Sequence, residues 1–421
     1  MEVFKISGPT VFGGKVKIQG SKNAVLPMMA AAVVGSSNVT LKNCPDISDV
    51  HSAIEILNYI GCKAQLDKGV LTIDASGEIT NYIPGDIMCK TRASFIFTGA
   101  LLARCKSFRV SHPGGCNIGQ RPVDIHLESF RKLGAKVETT SKDICCSVES
   151  FNPCDLYLRF PSVGATENIM ILASSIKGRT RIHNSAREPE IADLQKMLNK
   201  MGAHITGAGT GVITIEGTLD FKDATYAVMP DRIDCATYLS ALACCKGSLT
   251  LLDTDRASVQ SYVNILKKCG MEIDVFSNRI EAQKTKRLKG GITVNTGPYP
   301  AFATDIQSLF MSVMALSDGV SLIRENVFEN RFSLARSLQN MGADIRVYKK
   351  TASVRGVRSL VPQKEKMPDL RSGAALCLAM MSCEGTSVAS DICYLERGYE
   401  NFCEKYKSIG ADIERIELVE N

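Results

Sequence analysis

The chain has 421 residues, 45% hydrophobic and 22% charged, which suits two or three folded domains and excludes extended disorder. Fifty basic against 44 acidic residues give a net charge of +6. That charge is scattered rather than striped, aromatics are 6% and Trp is absent, which argues against nucleic-acid binding and for a small anionic substrate. Sixteen cysteines lack a C-x-x-C pair or zinc spacing, the start Met1–Lys5 is not export-like, and the longest apolar runs (26–35 and 95–103) are far short of a span. These features predict a cytoplasmic protein with reduced thiols, no metal and no membrane segment.

Six copies of one unit organise the sequence. An amphipathic stretch ends in an apolar residue, then Gly, then a small or apolar residue, then a short strand. The glycines are Gly61, Gly134, Gly202, Gly270, Gly342 and Gly410, at spacings of 73, 68, 68, 72 and 68.

In chain order, the first twenty residues precede the repeats. Their strand-like run 14–18 is expected to return to the C-terminal domain. Unit two carries a Gly- and Pro-rich insertion at 111–124. The split between two three-unit domains falls at 228–231, ahead of the fourth repeat. That repeat shows the template most clearly. Arg232–Lys246 is a helix with Gly247 as its stop, and Ser248–Leu252 is a strand. Ser258–Cys269 is a second helix closed by Gly270, and Glu272–Phe276 with Arg279–Ala282 forms a hairpin. A further strand precedes the first helix, so the unit is βαβαββ. Units two and six have weaker strands.

Matching slots carry the chemistry. Between 37 and 42 residues before each glycine lie Lys22, Arg92, Val163, Asp231, Asp305 and Arg371, where each first helix begins. Thirteen residues before lie Ser48, Arg121, Pro189, Ala257, Glu329 and Arg397, where each second helix begins. Helix N-termini present free N–H groups and a positive dipole end, and Arg or Lys beside them suits phosphate and carboxylate. Caps and surface ion pairs are the plainer explanation for any one residue, but a weaker one for the recurrence. Cys116 lies in the flexible insertion beside Arg121, a setting that lowers a thiol pKa and suits an acid or nucleophile. Thr304 reads as an N-cap that places Asp305 in a first turn as a general base, with His51, His112 and His126 as polar support.

Several motifs carry a resemblance: Gly20-Ser21-Lys22-Asn23-Ala24, Pro113-Gly114-Gly115-Cys116, Arg121-Pro122-Val123-Asp124, Ser162-Val163-Gly164-Ala165-Thr166, Arg187-Glu188-Pro189-Glu190, Pro230-Asp231-Arg232-Ile233, Thr304-Asp305, Val327-Phe328-Glu329-Asn330-Arg331, Asp369-Leu370-Arg371 and Arg397-Gly398-Tyr399-Glu400. From end to end the chain resembles the UDP-N-acetylglucosamine enolpyruvyl (1-carboxyvinyl) transferases, the MurA family of bacterial peptidoglycan synthesis.

The resemblance implies a two-domain inside-out α/β barrel with pseudo-threefold symmetry in each domain. Residues 21–229 would form the N-terminal domain with loop 111–124, and residues 1–20 plus 230–421 the C-terminal domain, with the active site in the cleft between them. It implies phosphoenolpyruvate and UDP-N-acetylglucosamine as substrates, a tetrahedral phosphate ketal as intermediate, no cofactor or metal, no nucleic-acid or membrane partner, and a monomer or weak homo-oligomer. Cys116 would protonate the methylene carbon and be alkylated by fosfomycin, and Asp305 would be the base. Lys22, Arg121 and Arg397 would hold phosphoenolpyruvate, with Arg92, Arg331 and Arg371 behind them and Asp231, Arg232 and Asp369 in support. Asn23 would contact the sugar and the intermediate. Arg121, Pro122, Val123, Asp124 and Ile125, with Ser162, Val163, Gly164 and Val327, would line the uridine diphosphate site. Ser48 and Phe160 stand where some members of the family have Lys. The alternatives are a shikimate-type or natural-product enolpyruvyl transferase with another acceptor, or a non-catalytic nucleotide-sugar sensor.

Overall fold

The computed structural model describes residues 2–114, 119 and 122–417. The loop around Gly119 apart, the chain forms two compact units. Gly20–Met229 is one; the residues up to Gln19, with those from Pro230 onward, are the other. Each has its own apolar core.

The repeat glycines explain the pattern around them. All six have φ between +93° and +112°, the left-handed region where a side chain is strained. Each ends a second helix. The N–H of the following residue turns back to a carbonyl five positions earlier, as in Cys62 to Leu57 (2.9 Å), Ala203 to Leu198 (3.1 Å) and Ala411 to Tyr406 (3.0 Å). That following residue is buried in every unit, which is why it is small or apolar.

First helices and second helices play different parts. In one unit Arg232–Cys244, Thr304–Leu316 and Leu370–Met381 pack on one another; in the other Lys22–Ala31, Phe97–Cys105 and Val163–Ala173 do so. Every residue of Arg232–Cys244 and Leu370–Met381 is buried. A helix apolar on all sides belongs at the centre of a fold, and its few polar side chains bond internally, as Ser312 Oγ does to the Ala375 carbonyl (2.9 Å). Second helices such as Arg256–Lys268 bury one stripe (Val259, Tyr262, Val263, Leu266).

Each repeat owns a sheet. A leading strand runs parallel to the next, and an antiparallel hairpin follows, as in Thr293–Asn295, Val320–Arg324, Asp344–Tyr348 and Thr351–Arg355. Three sheets borrow a strand from elsewhere. Ala224–Ala227, the strand before the fourth repeat's first helix, pairs with Asn38–Lys42 of unit one instead of its own sheet. The vacant place beside Lys246–Leu252 is taken by Val11–Phe12 and Lys15–Lys17. In unit six Glu2–Gly8 supplies the strand between Gly385–Ser390 and Asp412–Glu417.

Two local expectations are corrected. Gly247 does not stop the fourth repeat's first helix: the helix ends at Cys244, and Gly247 (φ +113°) lies inside strand Lys246–Leu252, where a Cβ would meet the Phe12 carbonyl oxygen. The second helices of units five and six begin late, at Leu334 and Phe402, leaving Glu329 and Arg397 in the segments ahead of them.

Candidate functional site

The first-helix slots all fall at helix starts. Lys22 and Val163 are first helical residues, Arg92 opens the 3₁₀ turn Arg92–Ile96, Asp231 is an N-cap, and Asp305 and Arg371 are second residues.

In the unit Gly20–Met229, Lys22 is buried and its Nζ lies 2.7 Å from Asp49 Oδ2, with the two side chains 11% and 4% exposed. Asp49 is in the first turn of Ser48–Tyr59 and also accepts the Thr91 hydroxyl at 3.4 Å. Thr91 caps the turn that begins with Arg92. Asn23, next to Lys22, is half-buried. Arg121, assigned to the same cluster, lies outside the described residues.

The residues expected to line the nucleotide site fall at two helix starts. Asp124–Lys132 and Val163–Ala173 pack together, and a Cβ on Gly164 would come 3.4 Å from the His126 ring. Ser162 caps the second helix through the Ala165 N–H at 3.3 Å, and Val123 precedes the first. The uncapped N–H groups and both dipoles suit an anion. Asp124 Oδ1 accepts the Ile125 N–H at 2.9 Å, while its other oxygen meets Arg159, which also grips Glu128 at 2.7 Å. Pro122 and Phe160 are exposed, and Ser48 is the first residue of its helix.

His126 sits behind this corner as a fixed neutral ring. Asn168 Oδ1 accepts the Gly99 N–H at 2.7 Å, so its Nδ2 faces Thr98, the Phe95 carbonyl and His126 Nδ1, each at 3.0 Å. His126 Nδ1 therefore accepts, and the ring proton is on Nε2. Burial, with Arg92 nearby, pushes its pKa down to about 3. The three histidines expected to support Asp305 go elsewhere: His51 to Asp46 at 2.5 Å, His112 to the Thr140 carbonyl at 2.9 Å, and His126 to Asn168.

In the other unit the acid and the cations converge. Arg331 reaches Asp305 Oδ1 at 2.9 Å and the Thr304 carbonyl at 3.3 Å; Arg371 reaches Asp305 Oδ2 at 3.4 Å. Asp369 lies 3.7 Å from Arg331, caps the Arg371 helix through two N–H groups at 3.0 and 3.1 Å, and accepts the Ser333 hydroxyl at 3.0 Å. The late start of the unit-five second helix lets Arg331, its side chain 3% exposed, drop onto these carboxylates. Burial works against the Arg371 charge, and Asp305, Tyr399 and Asp231 favour it; on balance its pKa is raised. Asp231 caps Arg232–Cys244 through Ile233 and Asp234, and Arg232 lies 5.8 Å from the Tyr299 ring. Thr304 does not cap its helix: Ala303 holds that position, and the Thr304 hydroxyl is given to Glu325 at 3.0 Å. Val327, in the turn after Glu325, is half-buried.

Arg397 follows the short helix Cys393–Glu396. The next residues are held by one amide: Gln19 Nε2 donates to the Gly398 carbonyl, and the Glu400 N–H donates to Gln19 Oε1, both at 2.9 Å. Cys116 lies outside the described residues. The sequence reading overlooked Asp49, Asn168, Gln19 and Glu325, each a partner of a named residue or its neighbour. Only Asp49 carried a signal, an acid in the first turn next to slot residue Ser48. Among the described residues no group of three or more His, Cys, Asp or Glu could hold a metal, and no helix is long and apolar enough to cross a membrane.

Comparison with known proteins gives the family. The family described as EPSP synthase (3-phosphoshikimate 1-carboxyvinyltransferase) matches residues 6–406. UDP-N-acetylglucosamine 1-carboxyvinyltransferase 2 of Caldanaerobacter subterraneus subsp. tengcongensis is 41% identical, over 99% of this chain and 100% of that protein. The UDP-N-acetylglucosamine 1-carboxyvinyltransferase of Finegoldia magna is 42% identical over the same shares. Among solved structures, the enolpyruvyl transferase NikO of Streptomyces tendae superposes with a TM-score of 0.90 at 24% identity, covering 98% of each chain, which shows a shared fold. Matched over nearly its whole length in this way, the chain belongs to the 1-carboxyvinyl (enolpyruvyl) transferase family.

Proposed function

We propose that the chain transfers the enolpyruvyl group of phosphoenolpyruvate to the 3′-hydroxyl of UDP-N-acetylglucosamine and releases phosphate, the first committed step of peptidoglycan synthesis. The observation that carries the proposal is Asp305 at a central helix start, each carboxylate oxygen met by an arginine, in a chain 41–42% identical to relatives with that name. Asp305 is oriented to take the hydroxyl proton as the sugar oxygen adds to C2 of phosphoenolpyruvate, while Cys116 gives a proton to C3. The resulting ketal loses a C3 proton and breaks its C2–O bond to phosphate. Those two steps restore the double bond and balance the reaction. Lys22, Asn23, Arg121 and Arg397 hold phosphoenolpyruvate, and Arg92 adds charge nearby. The helix starts at Asp124 and Val163 take the diphosphate, with Pro122, Val123, Ile125, Ser162, Gly164 and Val327 lining the nucleotide. Arg331, Arg371, Asp369, Asp231 and Arg232 keep the acid and its cations in register. The reaction belongs to the cytoplasm, and the enzyme works as a monomer or weak homo-oligomer.

The test is phosphate release from phosphoenolpyruvate with UDP-N-acetylglucosamine, with shikimate 3-phosphate, and with neither, for the wild type, Cys116→Ala and Asp305→Asn. Release that requires the nucleotide sugar and is lost in both variants is expected. Release with shikimate 3-phosphate alone assigns the other acceptor. Nucleotide binding without release under any condition assigns a sensor.

A further inference from the structure

Glu325 has no place in the reaction as assigned above, yet the site is tied together at its carboxylate. It follows strand Val320–Arg324 and is 1% exposed. One oxygen accepts the N–H groups of Val327 (2.8 Å) and Phe328 (3.1 Å) and the Thr296 hydroxyl (2.8 Å); the other accepts the Thr304 hydroxyl (3.0 Å). Four donors hold the carboxylate and it is sealed from solvent, so its role is to hold its neighbours.

Three of these four ties, to Thr304, Val327 and Phe328, end on residues next to the proposed chemistry. Thr304 precedes Asp305, and its carbonyl accepts Arg331 Nε at 3.3 Å. Val327 lines the proposed nucleotide site, and the Arg331 guanidinium lies 5.9 Å from the Phe328 ring. The Thr296 hydroxyl also accepts the Asn326 N–H at 2.9 Å, closing the turn from 325 to 328. One buried anion therefore fixes both the start of the Asp305 helix and the turn that brings Arg331 back to Asp305 at 2.9 Å.

We infer that Glu325 is a positioning residue for the transfer, setting Asp305 against the Val327–Arg331 turn. The inference rests on the reading of Asp305 as the base. Misplacing a reacting group by about 1 Å can cost on the order of 100-fold in rate.

Thr304→Val cuts only the tie on the Asp305 side, and Thr304→Ser keeps the hydroxyl. Thr304→Val is expected to lower kcat about tenfold or more with the KM for UDP-N-acetylglucosamine unchanged, and Thr304→Ser to restore kcat. Glu325→Ala cuts both sides and should lower kcat and raise that KM, each about tenfold or more. Without substrate, the Val327 and Phe328 amides should exchange hydrogen about tenfold or more faster in Glu325→Ala than in wild type. A Thr304→Val kcat within twofold of wild type, equal impairment of Thr304→Val and Thr304→Ser, or unchanged exchange in Glu325→Ala overturns the inference. If Glu325→Ala does not fold, the Thr304 pair decides. If the wild type releases no phosphate, the proposed function falls and the positioning role falls with it, while faster exchange in Glu325→Ala still shows the carboxylate holding the turn from 325 to 328.

Discussion

The buried pair of Lys22 and Asp49 offers a test of the site that needs no substrate. The charges are 2.7 Å apart, with side chains 11% and 4% exposed, so solvent screens them little. Removing one partner of a buried pair strands the other, at a cost of about 3–5 kcal/mol, whereas replacing both with apolar side chains of similar volume is often close to neutral. Lys22→Met and Asp49→Leu should therefore each destabilise the unit Gly20–Met229 by about 3–5 kcal/mol. At ~2–4 °C per kcal/mol for a domain of this size, its melting transition falls by roughly 6–20 °C. The double variant should melt near the wild type, a coupling of several kcal/mol. Scanning calorimetry on the four proteins gives the cycle. Single variants that each cost under about 1 kcal/mol, or a double variant equal to their sum, would refute the reasoning: the pair would then behave as a screened surface bridge.

Asp234 is buried and its pKa is raised to about 7. Its folded state binds a proton that the unfolded chain has lost, so stability falls as pH rises from about 4 to about 7; Asp234→Asn should remove up to about 4 kcal/mol of that fall, read from denaturation at pH 4, 5.5, 7 and 8. His126, pushed down to about 3 by burial, acts oppositely: the unfolded ring takes a proton near 6.5 that the folded ring refuses. Stability should drop as pH falls from about 6.5 toward 3, and His126→Phe should flatten that limb in the same titration. Gly270→Ala meets nothing within 4 Å, so only its φ of +96° should cost, about 1 kcal/mol, whereas Gly61→Ala also drives a Cβ to 2.2 Å from the Glu78 carbonyl oxygen and should cost clearly more in urea unfolding.

What was legible follows from the range over which the physics acts. The φ-positive glycines and the small or apolar residue after each are local requirements of a helix end, so the repeat and its slots could be read from spacing. Of the strand exchange, the return of the run 14–18 to the C-terminal part of the chain could be read, and Lys15–Lys17 does pair with Lys246–Leu252, but the pairing of Ala224–Ala227 could not. Ala224–Ala227 looks the same in sequence whether it joins its own repeat or the sheet of Asn38–Lys42, because pairing is decided by closure of the three-unit ring. Thr304 misled because Thr before an acid is a good cap in isolation; the buried Glu325, far along the chain, took its hydroxyl instead. Nothing in the sequence marks Glu325, and Asp49 stands out only as an acid next to Ser48; the fold reveals that one is held among four donors and the other sealed against Lys22. Cys116 and Arg121 lie outside the described residues and stay with the resemblance.

The distribution of charge over the slots carries a further argument. A helix N-terminus favours an acid or a bare polar group and disfavours a cation. Val163, Asp231 and Asp305 obey that preference; Lys22, Arg92 and Arg371 violate it. Lys22 and Arg371 come with nearby carboxylates, Asp49 and Asp305. Asp369 satisfies the Arg371 N–H with the same carboxylate that faces Arg331. A fold needing only stable helix starts would place acids or hydroxyls there directly. Sites that break a local rule and are then stabilised by added partners are where function is expected. In this chain that points to the starts of Lys22–Ala31 and Leu370–Met381 before any ligand is considered.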